Sequence, residues 1–185
     1  MRPSEVVGQD GILSQRPRLL IAPRHPERFN EVAALIKDTA FTWVRRSESP
    51  SERDKTAEVI LLDSIGELRA ACPLAEIVFV GGSLIPHGGQ SIFEPAAAGK
   101  AIVTGPHTMN FDAAVKEFLA QNALVQIDAG GEGAISPLAA EFSRLLTNAD
   151  ERQRLGTGAL DVMLNNRGAV TRTMEYLRPF LESRD

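Results

Sequence analysis

The residues best suited to chemistry stand close together between Val78 and Pro95: Gly81-Gly82-Ser83, then Gly88-Gly89-Gln90-Ser91, then Glu94. Glycine has no Cβ, so paired glycines let backbone N–H groups approach a ligand, and a helix start just beyond them favours negative charge. The chemistry this suggests is the binding of a phosphate, with Ser83, Gln90 and Ser91 adding hydroxyl or amide donors. A structural reading fits the same residues. Glycine pairs after a strand also serve tight turns, and Ser91-x-x-Glu94 satisfies a capping box, in which serine and glutamate bond each other's backbone N–H groups. Pro95 argues against the box, because it disfavours helical geometry at Glu94 and moves the helix start towards Pro95 itself, freeing the carboxylate.

Arg24 and His25 form a second candidate cluster, between the apolar run Leu19-Leu20-Ile21 and Pro26. A guanidinium at a strand end pairs bidentately with phosphate, although a solvated surface arginine is the plainer alternative. His25 either donates to phosphate or packs and caps the following helix. His87 and His107 lie in separate glycine-proline turns, and three scattered histidines without a cysteine or close carboxylate do not make a metal site.

Positioning these residues requires alternating strands and helices. Apolar runs at 18–22, 41–44, 59–62, 77–80, 101–104 and 124–127 read as buried strands. Between them, Phe29, Val32, Ala33 and Ile36 give one apolar face to a helix from about 26 to 38, and Asp63-Ser64 precedes a helix carrying Ile65, Leu68 and Ala71. A helical segment ends at Gly99, and another carries Phe111, Val115 and Phe118. Residues 45–57 have no period and read as an exposed loop. From Ser136 onward the pattern is helical, with Leu138, Phe142 and Leu145 on one face, Val170, Met174, Leu177 and Leu181 on another, and breaks near Asn148 and Asn165. The expected fold is α/β and doubly wound, a parallel sheet covered by helices on both faces, with a helical C-terminal tail. In such sheets ligands bind at the carboxyl ends of the strands, where Arg24-His25, Asp63-Ser64, Gly81 to Gly89 and Gly105 to Thr108 all fall.

Length and composition bound the rest. A chain of 185 residues with 43% apolar content supports one domain, expected over residues 18–185 after a poorly ordered lead-in of 1–17. A net charge of −4 gives no general attraction to nucleic acid or to an anionic membrane. The single Cys72 excludes an internal disulfide framework and fits a reducing cytoplasm. Residues 1–17 hold no continuous apolar run, so they read as neither signal peptide nor membrane span.

Taken in order, Pro23-Arg24-His25-Pro26-Glu27-Arg28-Phe29, Gly66-Glu67-Leu68, Phe79-Val80-Gly81-Gly82-Ser83-Leu84, Gly88-Gly89, Glu94-Pro95-Ala96-Ala97 and Gly105-Pro106-His107-Thr108-Met109-Asn110-Phe111 resemble the 3-deoxy-D-manno-octulosonic acid (Kdo) transferases. The resemblance covers roughly residues 18–180. It implies the C-terminal, donor-binding half of a GT-B fold, one of two Rossmann-like domains, and transfer of Kdo from CMP-Kdo to a lipid A precursor with inversion and no required metal or cofactor. It further implies that Arg24, His25, Gly66, Glu67, Gly81, Gly82, Ser83, Gly88, Gly89, Gln90, Ser91 and Glu94 bind the donor, Glu94 accepting from ribose hydroxyls and Ser83, Gln90 and Ser91 donating to the phosphate or the Kdo carboxylate.

Two departures from the family are visible. Gln90-Ser91 stands where the family usually has His-Asn, and its first strand with a Ser-Thr-His loop is not identifiable within residues 1–17. The family's catalytic base is a glutamate of the acceptor domain, so no catalytic residue is expected here. A missing sheet strand would leave an unpaired edge and a tendency to dimerise. Whole family members would work at the cytoplasmic face of the inner membrane. Two alternatives remain at this point: a non-catalytic nucleotide-binding remnant, and the donor domain of another nucleotide-sugar glycosyltransferase.

Overall fold

The structure is a computed structural model that describes residues 16–166 and 174–179. It divides into two compact units, Met1–Ala71 and Cys72–Asp185. Its strands form two three-stranded parallel sheets, where the sequence suggests one continuous sheet.

In the first unit, β1 (Leu19–Ile21), β2 (Trp43–Arg45) and β3 (Val59–Leu61) pair in the order β1-β3-β2. The register sets Leu19 and Trp43 opposite Val59, and Ile21 and Arg45 opposite Leu61. The central β3 is the best covered: Leu61 is fully buried, whereas Leu19 on the outer β1 is 53% exposed. An apolar run alone cannot separate an edge strand from a central one, which is why β1 reads as buried from sequence. β2 starts at Trp43 and leaves Phe41 outside, because the Thr42 carbonyl already accepts the N–H groups of Glu58 and Val59.

Pro26–Arg28 forms a 3-10 turn that opens α1 (Phe29–Lys37). Ala33 and Ile36 of α1 pack with Val59 and Leu61 to make this unit's core. The loop after β2 holds its own 3-10 turn, Glu52–Lys55, started by a Ser51/Asp54 capping box. The helix expected after Asp63-Ser64 is reduced to one turn, α2 (Leu68–Ala71), and Ile65 is 80% exposed. Gly66 at φ +85 is the reason, since a left-handed residue breaks the helix before it reaches Leu68.

The second unit is built on β4 (Ile77–Val80), β5 (Ala101–Thr104) and β6 (Val125–Gln126), again parallel, with β5 central. Every residue of β5 is buried, and its side chains alternate between two cores. Ile102 packs with Val80, Ile92, Ala96, Val115 and Phe118 on one face, while Ala101 and Val103 pack with Ile127, Leu145 and Leu155 on the other. Helices α3 (Phe93–Ala97) and α4 (Asp112–Ala120) therefore serve the first face and α5 (Ile135–Thr147) the second. This is the two-faced α/β arrangement expected from the sequence.

The C-terminal helices are more than a tail. α6 (Ala149–Asn165) supplies Leu155 to one core and Ala159 and Val162 to the other. Its start is capped by Asn148, whose side chain accepts the Glu151 N–H at 3.0 Å. Close contact of α6 with the end of α3 depends on Gly156, where a Cβ would lie 2.1 Å from the Gly99 carbonyl oxygen. Residues 174–179 are helical, with Met174 and Leu177 about half exposed. Val170 and Leu181 lie outside the described residues, as does nearly all of the lead-in.

Candidate functional site

In both units the predicted site residues follow the carboxyl ends of strands, all on loops except Glu94, which lies in α3. In the first unit, Arg24 and His25 follow β1, both exposed. His25 stands at the N-cap position of the Pro26 turn with extended backbone, yet its side chain makes no cap bond. Its carbonyl accepts the Arg28 N–H at 3.0 Å, and its Nδ1 lies 3.7 Å from Glu27 Oε1. Of the two sequence readings, capping by the imidazole is thus absent.

Gly66 and Glu67 follow β3, and here the structure adds residues from the segment that reads as an exposed loop in sequence. The Asp63 carboxylate is buried and accepts from Arg45 Nε at 2.7 Å, Ser47 Oγ at 2.6 Å and the Ser47 N–H at 2.9 Å. Burial by itself pushes this carboxyl up, but the bonds from Ser47 and Arg45 outweigh it and hold the group below its ordinary value. Glu67 accepts from Ser64 Oγ and, at 2.9 Å, from Arg46 Nη2. Its carboxyl is lowered chiefly by the Ser64 bond, with Arg46 adding to it. Paired carboxylates on the β3 loop therefore hold Arg45 at the end of β2, and Arg46 and Ser47 just beyond it. The one trace of this in the sequence is the clustering of polar residues directly after two apolar runs.

In the second unit, the two glycine pairs close on each other. Gly89 N–H donates to the Gly82 carbonyl at 3.0 Å and Gln90 N–H to the Gly81 carbonyl at 3.1 Å. These two N–H groups, which the sequence offers to a phosphate, are thus engaged inside the loop. The closed form needs left-handed backbone at Gly82, Gly88 and Gly89. Gly88 is further constrained, because a Cβ there would fall 2.4 Å from the Asn110 side chain.

Ser83 is fully buried and acts as a tie between loops: its Oγ donates to the Val80 carbonyl at 2.6 Å and accepts the Gly105 N–H at 2.8 Å. Its carbonyl accepts His107 N–H at 3.0 Å, and the Leu84 carbonyl accepts Gly131 N–H at 2.7 Å. Gln126 Nε2 completes the set by donating to the Gly105 carbonyl at 3.0 Å. The loops after β4, β5 and β6 are thereby one interlocked platform. Ser83 holds that platform together, and its hydroxyl has both of these bonds to satisfy before any ligand arrives.

Glu94 lies within α3, whose first residue is Phe93, so the expected helix start at Pro95 is corrected by two residues. A proline in the first turn removes only an N–H that has no intrahelical partner, which is why it is tolerated there. The capping box is not formed either. Ser91 Oγ donates to Glu94 Oε2 at 2.5 Å and accepts the Phe93 N–H at 3.2 Å, while the helix N-cap is Ile92. Glu94 is half-buried, and its second oxygen has no hydrogen-bond partner among the described residues. A carboxylate held by one oxygen and open at the other is suited to accept from a ligand hydroxyl. No group of three or more metal-binding side chains occurs among the described residues.

Comparison with known proteins accords with this geometry. No protein-family model matches the chain. It is 38% identical over 173 residues to a 3-deoxy-D-manno-octulosonic acid transferase of Haemophilus influenzae, covering 92% of this chain and 39% of that protein. It is 32% identical over 166 residues to the enzyme of the same name from Bordetella pertussis, covering 90% and 38%. Among solved structures, the C-terminal CMP-Kdo binding domain of WaaA from Acinetobacter baumannii superposes with a TM-score of 0.71 and 33% identity, over 79% of this chain and 73% of that one. Parallel sheets flanked by helices, with glycine-rich loops at the strand ends, make this a Rossmann-like domain, and the likeness to these transferases puts it in the glycosyltransferase class. Within that class the chain belongs to the Kdo transferase family, and it corresponds to the C-terminal domain of its members. It spans well under half the length of the two transferases.

Proposed function

We propose that this chain binds the CMP-linked sugar donor of a Kdo transferase and presents it to an acceptor, a lipid A precursor, held by another domain. The observation that carries this reading is the likeness to a CMP-Kdo binding domain across 79% of the chain, with the motif residues on loops at strand ends. Arg24 supplies the charge-assisted contact to phosphate and Glu94 the acceptor for ribose hydroxyls, with Glu67 held at its loop by Ser64 and Arg46. Transfer with inversion further needs a base within reach of the acceptor hydroxyl and both substrates in near-attack geometry, which is the part assigned to the other domain. Titration calorimetry of the isolated chain with CMP, UDP and ADP tests the proposal. CMP should bind in clear preference to the other two. Equal affinity for all three, or preference for either of the other two, would support the donor domain of a different glycosyltransferase, and no binding of any would overturn the donor-binding reading.

A further inference from the structure

The platform of the second unit contains no lysine or arginine in its strand-end segments 81–94, 105–111 and 127–134, although Glu94, Asp128 and Glu132 lie there. An oxyanion resting on this edge has only backbone N–H groups, hydroxyls, amides and two imidazoles to meet it. Of these imidazoles, His87 is exposed, whereas His107 is half-buried. The His107 backbone is tied by its N–H to the Ser83 carbonyl at 3.0 Å. Its ring lies against Gly130, where a Cβ would approach Nε2 to 3.2 Å and Cδ2 to 3.6 Å. Neither ring nitrogen has a hydrogen-bond partner among the described residues. An imidazole always carries at least one N–H donor, and one already packed against a neighbouring backbone has less freedom to lose when a ligand takes that bond.

We propose that His107 is a ligand-binding residue whose ring donates to an oxyanion of the bound sugar nucleotide at the end of β5. That oxyanion is either the phosphate or the carboxylate of the sugar acid. This inference rests on the donor-binding reading above. It adds a residue that neither glycine-loop logic nor charge pairing selects.

The test is calorimetry of the wild-type chain, His107→Ala and His107→Gln with cytidine, CMP and CMP-Kdo, with folding checked by thermal melts. Loss of a hydrogen bond to a charged acceptor should weaken binding roughly 10- to 100-fold in His107→Ala. His107→Gln, which retains an N–H donor, should recover part of that. Equal weakening of CMP and CMP-Kdo with cytidine unaffected assigns the contact to the phosphate; weakening of CMP-Kdo alone assigns it to the carboxylate. If both variants match the wild type for both charged ligands, or if cytidine weakens equally, the proposal is overturned. Should the variants fail to fold, the ring resonances of wild-type His107 decide: they should shift with CMP or CMP-Kdo and stay still with cytidine, and no shift with any of them overturns it. A wild-type chain that binds no CMP would instead remove the donor-binding reading itself, a result distinct from normal CMP binding by the His107 variants.

Discussion

Arg24 is exposed beyond β1, and Glu94 is half-buried with Ser91 on one of its oxygens. Under the proposed function the two residues act on the nucleotide through different chemistry, so their variants separate. Arg24→Ala removes a charge-assisted contact, and CMP binding should weaken by about 1.5–3 kcal/mol in low salt. That loss should shrink as salt screens the pair. Glu94→Gln retains one acceptor oxygen but removes the charge that favours hydroxyl donors. Its loss should be smaller, nearly independent of salt, and absent for a ligand without ribose hydroxyls. Calorimetry at two salt concentrations checks both, and unchanged CMP affinity in a folded Glu94→Gln chain would leave Glu94 as a partner of Ser91 alone.

At the scale of elements, the second unit depends on close backbone approaches that only glycine permits. Gly156 brings α6 onto the end of α3, and Gly105 brings the β5 loop onto Ser83, where a Cβ would sit 2.4 Å from the Ser83 carbonyl oxygen. In both cases the obstructing atom belongs to the backbone, so no side-chain rotation relieves the clash. Gly156→Ala must therefore move α6, which carries Leu155, Ala159 and Val162 into both cores. Its helical propensity gain of about 1 kcal/mol should be outweighed, and overpacking of this kind destabilises by roughly 1–3 kcal/mol. A thermal melt that shows Gly156→Ala to be more stable than the wild type would contradict the close approach. The short junction between α5 and α6 is held separately, by Arg152 donating to the Leu145 and Leu146 carbonyls and pairing with Glu76 at 2.7 Å.

At the scale of the molecule, both sheets end in strands that have one paired edge among the described residues. β1 is one of these, with β3 on a single side and Leu19 and Leu20 exposed along it. Unpaired N–H and C=O groups beside apolar side chains invite another strand. We therefore expect the isolated chain to self-associate as concentration rises, and Leu20→Lys to oppose this by placing charge on the edge. Light scattering that shows the wild-type chain monomeric at high concentration would count against this expectation. Among the described residues no helix is long and apolar enough to cross a membrane.

The strands β4 and β5 lie at the bounds that their apolar runs indicate, and Val115 and Phe118 of α4 and Leu138 and Leu145 of α5 pack as their periodicity predicts, whereas Phe142 joins neither core. These features depend on residues within a few positions of one another, so local pattern suffices to find them. The motif positions after each strand were readable for the same reason, since glycine, proline and a polar residue after a β-branched run mark a strand end wherever they occur. What the tertiary structure alone decided is how those loops meet. The Gly105 N–H finds Ser83 across 22 residues and Asp63 finds Ser47 across 16, pairings that depend on strand order and register and leave no local pattern. The same holds for His107 over Gly130 and for the engaged N–H groups of Gly89 and Gln90. Residue types set which chemistry was available along this chain, while the packing of distant loops set which polar atoms were already bonded and which were left for a ligand.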